Sequence, residues 1–363
     1  MVYRAIGLMS GSSLDGLDIA FVEFQEQGGK WSYIIKETAC YSYEEEWIGR
    51  LRNAISLNAM DYQLLHADYG HYTGQQVNRF IDDRQLHYQV ALIASHGHTT
   101  FHIPSKKMTG QLGDGAAIAA VTGLPVVSDL RAMDIALGGQ GAPIVPVGEK
   151  LLLPGYDYFL NLGGIANISM NGDQYAAFDI CPANRVLNML ANEAGQHYDD
   201  GGQMAASGMI DQALLEKLNE LDYYKQSAPK SLANDFGTDI IYPIIKNTGL
   251  SIKDALRTYT EHIALQIVNA IRNLGRQQPA TGNQQLLATG GGAFNHFLIQ
   301  RIKESLHESG IELIVPDAGL VSYKEALIMA FIGVLRWRQE YNVLSSVTGA
   351  SRDSVGGALW AGI

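Results

Sequence analysis

Three glycine-rich turns carry the polar groups that could bind a phosphate chain. They are MSGSSLDGLD at residues 9–18, NLGGIANIS at 161–169 and ATGGGAFN at 288–295. Each follows an apolar run that predicts a strand, and main-chain N–H groups in such turns form concave anion sites. A single turn of this kind is usually only a tight turn, but three of them favour a phosphoryl-transfer protein. None matches the P-loop pattern or GxGxxG before a helix.

The first turn adds side chains that suit a metal-bound phosphate. Ser12 and Ser13 supply hydroxyls, and Asp15 and Asp18 supply carboxylates. A hydroxyl can hold a phosphate oxygen, and a carboxylate can hold Mg²⁺ directly or through water. A β-turn closed by Ser and Asp side chains is the alternative interpretation.

The elements that must position these turns repeat along the chain. Residues 2–9 and 17–24 predict a hairpin around the first turn, and WSYII predicts a third strand. DYFLNL, IANISM and QYAAFDI predict the same arrangement around the second turn. No helix follows the first strand, which counts against a dinucleotide-binding βαβ unit. The repeat indicates two halves of related construction.

Composition limits the class of protein. The chain has 363 residues, of which 47% are hydrophobic and 17% charged, which indicates a folded protein of about two domains. A net charge of -11 argues against general binding to nucleic acid or anionic membranes. Two cysteines cannot form a disulfide framework or a four-cysteine zinc site. With no basic leader and no apolar run of about 18 residues, we expect a cytoplasmic protein without a membrane span.

Several segments, taken in order, resemble one known family. They are GLMSGSSLDGLD, DLRAMDIALGGQGAPIVP, LNLGGIANIS, APKS, GGGAFN and the terminal NVLSSVTGASRDSVGGALW. They resemble the anhydro-N-acetylmuramic acid kinases over nearly the whole chain. That family is similar to the larger superfamily of ATPases that includes actin and hexokinase.

The resemblance implies an α/β fold with two ribonuclease-H-like (actin-type ATPase) domains, whose mixed sheets flank a nucleotide cleft. The first domain would hold residues 1–130 and 321–363, and the second residues 131–320. It also implies the activity: with ATP and Mg²⁺, water opens 1,6-anhydro-N-acetylmuramic acid and O6 is phosphorylated, in peptidoglycan recycling. The implied partners are ATP and a small sugar, with a homodimer typical of the family.

Asp179 is the predicted catalytic base. It ends YAAFDI and precedes Pro182, which breaks regular structure. It matches the aspartate in the family's FDTGPGN segment, which reads FDICPAN here. Ile180, Cys181 and Ala183 therefore replace a threonine and two glycines, while the carboxylate is retained. The base must lie near both the attacking water and the phosphate.

The resemblance also implies the binding residues. Arg131 would clamp the lactyl carboxylate of the sugar bidentately, and Glu325 and His96 would contact the sugar. An ion pair with Asp129 or Asp134 is the alternative for Arg131, and helix capping is the alternative for Glu325. His96 lies in HGHTTFH, which also permits a metal site or a structural role. The nucleotide is expected to contact Gly11, Ser12, Ser13, Leu14, Asp15, Gly16, Leu17, Asp18, Gly163, Gly164, Asn167, Gly290, Gly291 and Gly292, with Asp18 as the Mg²⁺ ligand.

Departures from the family pattern leave two alternatives open. The segments FDICPAN, SHGHT and PKSLAND each differ from the family's usual residues. One alternative is a related kinase that acts on another amino or anhydro sugar. The other is a catalytically weak nucleotide-binding sensor of cell-wall fragments.

Overall fold

The chain divides into two compact units, Met1–Pro154 with Tyr323–Ile363 (unit 1) and Gly155–Ser322 (unit 2). The computed structural model describes residues 1–11, 13–172, 175–227, 230–233, 235–275 and 284–362. The chain passes from unit 1 to unit 2 after Pro154 and not after residue 130. The reason is that the loop after residue 131 is hydrogen-bonded to the C-terminal segment of unit 1. Asp134 accepts a hydrogen bond from the Thr348 hydroxyl at 2.6 Å, and the Gln140 N–H donates to the Thr348 carbonyl at 2.8 Å. The assignment of two ATPase domains to residue ranges stays a prediction.

Unit 1 is built on a mixed sheet. Its strands are β1 (Val2–Ser10), β2 (Gly16–Gln27), β3 (Lys30–Ser42), β4 (Leu92–Ile103), β5 (Met108–Leu112), β6 (Val126–Ser128) and, from the C-terminus, β12 (Ala358–Trp360). The order is β12-β6-β4-β1-β2-β3, with β5 paired to β4. β1, β2 and β3 are antiparallel neighbours, whereas β4 runs parallel to β1 and β6. The middle of β1 is buried continuously, as expected for a strand covered on both faces.

Unit 2 repeats this plan. Its strands are β7 (Tyr158–Leu162), β8 (Ile165–Met170), β9 (Ala176–Pro182), β10 (Gln284–Thr289) and β11 (Ile311–Ile314), in the order β11-β10-β7-β8-β9. β7, β8 and β9 are antiparallel, and β10 is parallel to β7 and β11. Each unit therefore has an antiparallel three-strand meander extended by parallel strands beside its first strand. This is the ribonuclease-H-like order, and the predicted α/β fold with two mixed sheets is confirmed.

The helices flank the sheets. In chain order, those before β7 are α1 (Glu45–Arg52), α2 (Ala59–Asp83), α3 (Gly115–Thr122), α4 (Ala132–Ala136) and α5 (Pro146–Leu152). Those between β9 and β10 are α6 (Asn184–Glu193), α7 (Gln203–Ala206), α8 (Gln212–Asn219), α9 (Asp222–Lys225), α10 (Tyr242–Lys246) and α11 (Ile252–Gly275). They are followed by α12 (His296–Leu306), α13 (Ala318–Trp337) and α14 (Ser345–Thr348).

Helix prediction succeeded where apolar residues recur at helical spacing. The period predicted a helix over 255–274, and α11 buries Leu256, Tyr259, Ile263 and Ile267 as that period requires. The segment at residues 131–146, which has no such period, contains α4 and the start of α5. Those helices are short, so tertiary contacts stabilise them more than sequence propensity does.

α13 is apolar enough and long enough to cross a membrane by composition alone. However, 72% of its most apolar 18-residue window is buried inside the protein. That burial is the pattern of a core helix.

Candidate functional site

Unit 2 brings polar side chains into one row across its sheet. Asn161 pairs with Asn167 between β7 and β8, and Asn167 pairs with Asp179 between β8 and β9. Thr289 of β10 pairs with Asn161 on the other side. Residues directly opposite in neighbouring strands project from the same face of a sheet. Asn167 and Asp179, which were both predicted to belong to the site, are thus neighbours. The row adds Asn161, from the second glycine turn, and Thr289, from the third.

The Asp179 carboxyl is held from one side. Its Oδ2 accepts a hydrogen bond from the Leu232 N–H at 2.9 Å, while the Tyr223 hydroxyl donates to the Asp179 carbonyl at 2.6 Å. Desolvation raises the pKa of this half-buried carboxyl, and the Leu232 N–H partly opposes that rise. A carboxylate with a raised pKa and one oxygen already oriented is suited to accept a proton.

The three residues near Asp179 that differ from the family's FDTGPGN segment are buried. Ile180 and Cys181 are 2% and 0% exposed, and both pack in the apolar core of unit 2, as does Ala183. Burial raises the pKa of the Cys181 thiol, so it is protonated and inert at neutral pH. The side chains that stand where the family has a threonine and two glycines therefore belong to the apolar core of unit 2.

Two of the predicted glycine turns lie beside this row. The carbonyls of Gly163 and Gly164 accept the N–H groups of Asn184 and Ala183, at 3.1 and 2.8 Å, which ties the turn to the start of α6. Gly290 has φ +81°, and a Cβ there would lie 2.4 Å from Asn161 Oδ1. Only glycine satisfies both the backbone angle and this close approach.

A cavity of ≈ 390 Å³ opens next to the third turn. It is lined by Asn184, Tyr198, Asp200, Gly291, Phe294 and Asn295, among others. Tyr198 and Phe294 are 60% and 44% exposed, which is high for aromatic rings. The volume is within the range of small-molecule sites. No motif pointed to Tyr198, because it lies about ninety residues before the turn beside which the cavity opens.

In unit 1, the first turn is described except for Ser12, which lies outside the described residues. Gly11, Ser13 and Asp15 are at least partly solvent-accessible, and Leu14 adopts φ 61°. Gly16 is buried, and a Cβ there would lie 2.6 Å from the carbonyl oxygen of Tyr41 on β3. The close approach of β3 therefore explains why a glycine is needed at this position. The Leu17 side chain is 2% exposed within the core of unit 1, which leaves only its main chain for a ligand.

Asp18 belongs to a cluster of charges in unit 1. Desolvation raises its pKa to about 6, a hydrogen bond with Cys40 lowers it, and the negative charges of Glu325 and Asp15 raise it. Desolvation also raises the pKa of Glu325, although that residue remains solvent-accessible, while Lys324 and Arg131 lower it. Among the described residues, no three His, Cys, Asp or Glu side chains are arranged to hold a metal by themselves.

His96 holds Arg131 and does not present a free ring nitrogen. Arg131 Nε donates to His96 Nε2 at 2.9 Å, and His96 Nδ1 donates to the Gly97 carbonyl at 2.9 Å. Burial and the Arg131 charge lower the pKa of His96 to about 3, so the ring is neutral. Both ring nitrogens of His96 are therefore bonded within unit 1, and its contact with the sugar stays a prediction.

Arg131 makes no ion pair of the kind weighed above. Its Nη1 donates to the Gly141 carbonyl at 2.5 Å, while Asp134 accepts from Gly141 N and Thr348. Asp129 accepts from Ser128 instead. Burial lowers the pKa of Arg131 to about 10, and Glu325 opposes that shift, so the guanidinium stays charged. Its outer edge is thus oriented by neutral partners and available for an anion.

His98 is held by a chain of hydroxyls. The Tyr43 hydroxyl donates to Ser10 Oγ at 2.7 Å, and Ser10 Oγ is hydrogen-bonded to His98 Nδ1 at 3.0 Å. Tyr43 in turn is 2.5 Å from the Tyr69 hydroxyl. Nδ1 of His98 is therefore bonded within unit 1.

Comparison with known proteins gives a consistent result. Residues 3–362 match the family model described as anhydro-N-acetylmuramic acid kinase. A protein of that name from Vibrio parahaemolyticus is 32% identical, over 98% of each chain. Another of that name from Synechococcus elongatus is 34% identical, over 99% of each chain. Among solved structures, the activator of 2-hydroxyisocaproyl-CoA dehydratase from Clostridium difficile with bound ADPNP is 13% identical and covers 91% of this chain and 94% of that one. Its TM-score of 0.45 is too low to bear on function.

Proposed function

Since the chain belongs to the anhydro-N-acetylmuramic acid kinase family, we propose that it hydrolyses the 1,6-anhydro bond of 1,6-anhydro-N-acetylmuramic acid and phosphorylates O6 with ATP. The products are N-acetylmuramic acid 6-phosphate and ADP, which places the reaction in peptidoglycan recycling. The observation that carries the proposal is the match over essentially the whole chain. It is a phosphotransferase with an alcohol acceptor, and we place it in the cytoplasm, where ATP is available.

Asp179 is the proposed general base. A water attacks the anomeric carbon, the bond from that carbon to the bridging O6 breaks, and O6 takes the γ-phosphoryl group. Asp179 accepts the proton of the water. The Leu232 N–H fixes one carboxylate oxygen and leaves the other for this proton. The raised pKa of Asp179 supports the role, because it makes the carboxylate a stronger base.

ATP is proposed to bind unit 2 through its base and sugar. The cavity beside Gly291 and Gly292 has the exposed rings of Tyr198 and Phe294 on which an adenine can stack. Asp200 at its edge suits a ribose hydroxyl, a role that carboxylates often take in nucleotide sites. The phosphates would then reach the main-chain amides of the Gly163–Gly164 turn.

The residues of unit 1 fit Mg²⁺ bound mainly by phosphate. Mg²⁺ commonly takes one or two carboxylates together with phosphate oxygens and waters. Asp18 provides a carboxylate whose pKa is raised first by desolvation and then by the negative charges of Glu325 and Asp15, and a bound cation would offset those charges. When bound, Mg²⁺ would neutralise charge on the transferred phosphoryl group. Asp18 is its proposed holder.

The sugar is proposed to bind through Arg131 and Glu325. The guanidinium suits the lactyl carboxylate, and the Glu325 carboxylate suits hydroxyl or amide donors of the ring. His96 supports this binding indirectly, because it orients Arg131. A homodimer stays a prediction.

The proposal is tested by incubating the protein with ATP, Mg²⁺ and 1,6-anhydro-N-acetylmuramic acid, and by measuring ADP and the sugar phosphate. N-Acetylmuramic acid and other amino sugars serve as the comparison panel. Asp179→Asn should lower kcat by about 10²–10⁴-fold, as loss of a general base does, with ATP binding retained. Activity confined to ring-opened sugars would overturn the substrate assignment, and near-normal turnover by the Asn variant would overturn the base.

A further inference from the structure

Two residues of unit 2 cover the outer edge of its sheet at Asp179. Among the described strands, β9 pairs only with β8, which leaves one row of its main-chain groups without a strand partner. At Asp179 these groups are bonded to side chain and main chain from outside the sheet. The Asp179 N–H donates to the Lys230 carbonyl at 3.1 Å, and the Asp179 carbonyl accepts the Tyr223 hydroxyl at 2.6 Å.

A third residue of the same region holds the carboxylate. The Leu232 N–H donates to Asp179 Oδ2 at 2.9 Å. Tyr223, Lys230 and Leu232, called the clamp below, thus bond to the N–H, the carbonyl and one side-chain oxygen of Asp179. A general base must be oriented as well as basic, and the clamp orients both the main chain and the carboxylate of this residue.

The Lys230 side chain links the two ends of the clamp. Its Nζ donates to the Tyr223 carbonyl at 3.0 Å, and it lies 4.3 Å from the centre of the Tyr223 ring and 5.9 Å from that of Tyr224. An ammonium is attracted to the face of an aromatic ring, and its hydrogen bonds are stronger than those between neutral groups. Lys230 therefore ties its own main chain, and with it the neighbouring Leu232, to α9.

α9 is in turn anchored to the core of unit 2. Tyr223 is 7% exposed, and its ring packs against Tyr224 and Phe236, with ring centres 5.6 and 5.5 Å away. The Tyr224 hydroxyl is hydrogen-bonded at 3.0 Å to Nε2 of His262, a fully buried residue of α11. The clamp therefore has a fixed end at α9, and Lys230 connects that end to the main chain that bonds Asp179.

We propose that Lys230 and Tyr223 are positioning residues, which orient the Asp179 carboxylate towards the attacking water through the clamp. This rests on the proposed function, because Asp179 is the general base there. Neither side chain needs to touch ATP or the sugar. The alternatives for the half-buried Lys230 are a contact with a phosphate of ATP and a role confined to stability, and each predicts a different result.

The kinetic test uses the full chain with Lys230→Met, Lys230→Arg and Tyr223→Phe. Lys230→Met keeps the length of the side chain and removes the ammonium, so kcat should fall by about 10–100-fold, as expected when a reacting group is misplaced by about 1 Å. The KM values for ATP and the sugar should change by less than about twofold, since only the transition state loses an interaction. Lys230→Arg keeps a cation over the ring and should recover most of kcat. Tyr223→Phe, which loses one hydroxyl, should lower kcat by about tenfold.

Two matched controls separate positioning from stability. Tyr259→Phe removes a hydroxyl that donates to the Pro182 carbonyl at 2.7 Å, three positions along β9 from Asp179. Lys246→Met removes an ion pair with Glu193 elsewhere in unit 2. Both controls should keep the kcat of the wild type, whatever their effect on Tm. A role confined to stability predicts instead that Tyr259→Phe loses as much activity as Tyr223→Phe.

Amide hydrogen exchange measures the clamp without any activity. With ¹⁵N-labelled leucine, the Leu232 resonance is assigned by its loss in Leu232→Met. In the unliganded protein this amide should exchange at least about tenfold faster in Lys230→Met than in the wild type, because it is no longer held against Asp179 Oδ2. The amide of Leu187 in α6 should keep its rate, and so should Leu232 in Lys246→Met.

The outcomes that overturn the proposal are distinct. A higher KM for ATP with unchanged kcat would assign Lys230 to a phosphate. An unchanged exchange rate at Leu232, or an equal acceleration at Leu187, would show that Lys230 does not hold the clamp. If Lys230→Met yields no folded protein, kcat of Tyr223→Phe against Tyr259→Phe decides. If the wild type does not phosphorylate the anhydro sugar, the proposed function fails, and amide exchange still decides whether Lys230 holds Leu232 against Asp179.

Discussion

Replacing Asp18 with Asn is expected to stabilise the unliganded protein while it removes activity. The pKa of Asp18 is about 6 in the folded chain, against 3.8 for an isolated aspartate. Because the folded state holds this proton up to a higher pH, stability is lost as the pH rises from about 4 to 6. Each unit of difference corresponds to about 1.4 kcal/mol, so the charged carboxylate costs at most about 3 kcal/mol above pH 7. Partial solvent access reduces this to about 1–3 kcal/mol.

The assay is thermal unfolding of the wild type and Asp18→Asn without nucleotide, from pH 5 to pH 8. In a unit of this size, 1 kcal/mol shifts Tm by about 2–4 °C. At pH 8 the variant should therefore unfold about 2–12 °C higher. The gap should narrow as the pH falls towards 5, because the wild-type carboxyl then takes up its proton. Asp68→Asn is the control, since its exposed ion pair with Arg50 contributes at most about 1 kcal/mol.

Activity is the second arm of this experiment. The same variant should lose about 10²–10³-fold in kcat, the loss typical of one electrostatic group at a phosphoryl site. A variant that is less stable than the wild type at pH 8, or a Tm gap that does not change with pH, would refute the reasoning about Asp18.

Two further predictions concern the other binding groups. His96→Leu removes the acceptor of Arg131 Nε and should raise the KM for the sugar by about 10–100-fold, as expected for a hydrogen bond to a charged group. His96→Gln keeps an acceptor and should restore part of the affinity for the sugar. Steady-state kinetics check this, and a change confined to the KM for ATP would contradict it. Tyr198→Ala should raise the KM for ATP by about 10–100-fold, because stacking with the adenine is lost, and should leave the KM for the sugar unchanged. An unchanged KM for ATP would show that the adenine binds elsewhere.

Local sequence patterns predicted much of the fold. Alternating and continuous apolar runs around the first two turns predicted β1, β2 and β7–β9, because strand pairing in a hairpin depends on residues close in the chain. The repeated arrangement predicted the shared sheet order of the two units. The domain boundary at residue 130 stays a prediction, whereas unit 1 continues to Pro154, because the loop after residue 131 is bonded to Thr348.

The candidate site was predicted in part. Asp179 and Asn167 were found from their motifs, and the sheet register makes them neighbours. The contacts of His96 with the sugar and of Gly16 with the nucleotide stay predictions. The structure adds that the His96 ring orients Arg131, 35 positions away, and that Gly16 lets β3 approach closely.

Residue types and their spacing along the chain were sufficient to indicate the strands, the glycine turns, the family and the proposed general base, since each of these depends on a short stretch of chain. Packing decided the rest: which glycines serve the fold, which histidine nitrogens are already bonded, and which carboxylates share a charge cluster. Glu149 and Lys324 lie 175 positions apart, and Asp18 and Glu325 still farther, so their mutual electrostatic effects arise only once the chain has folded.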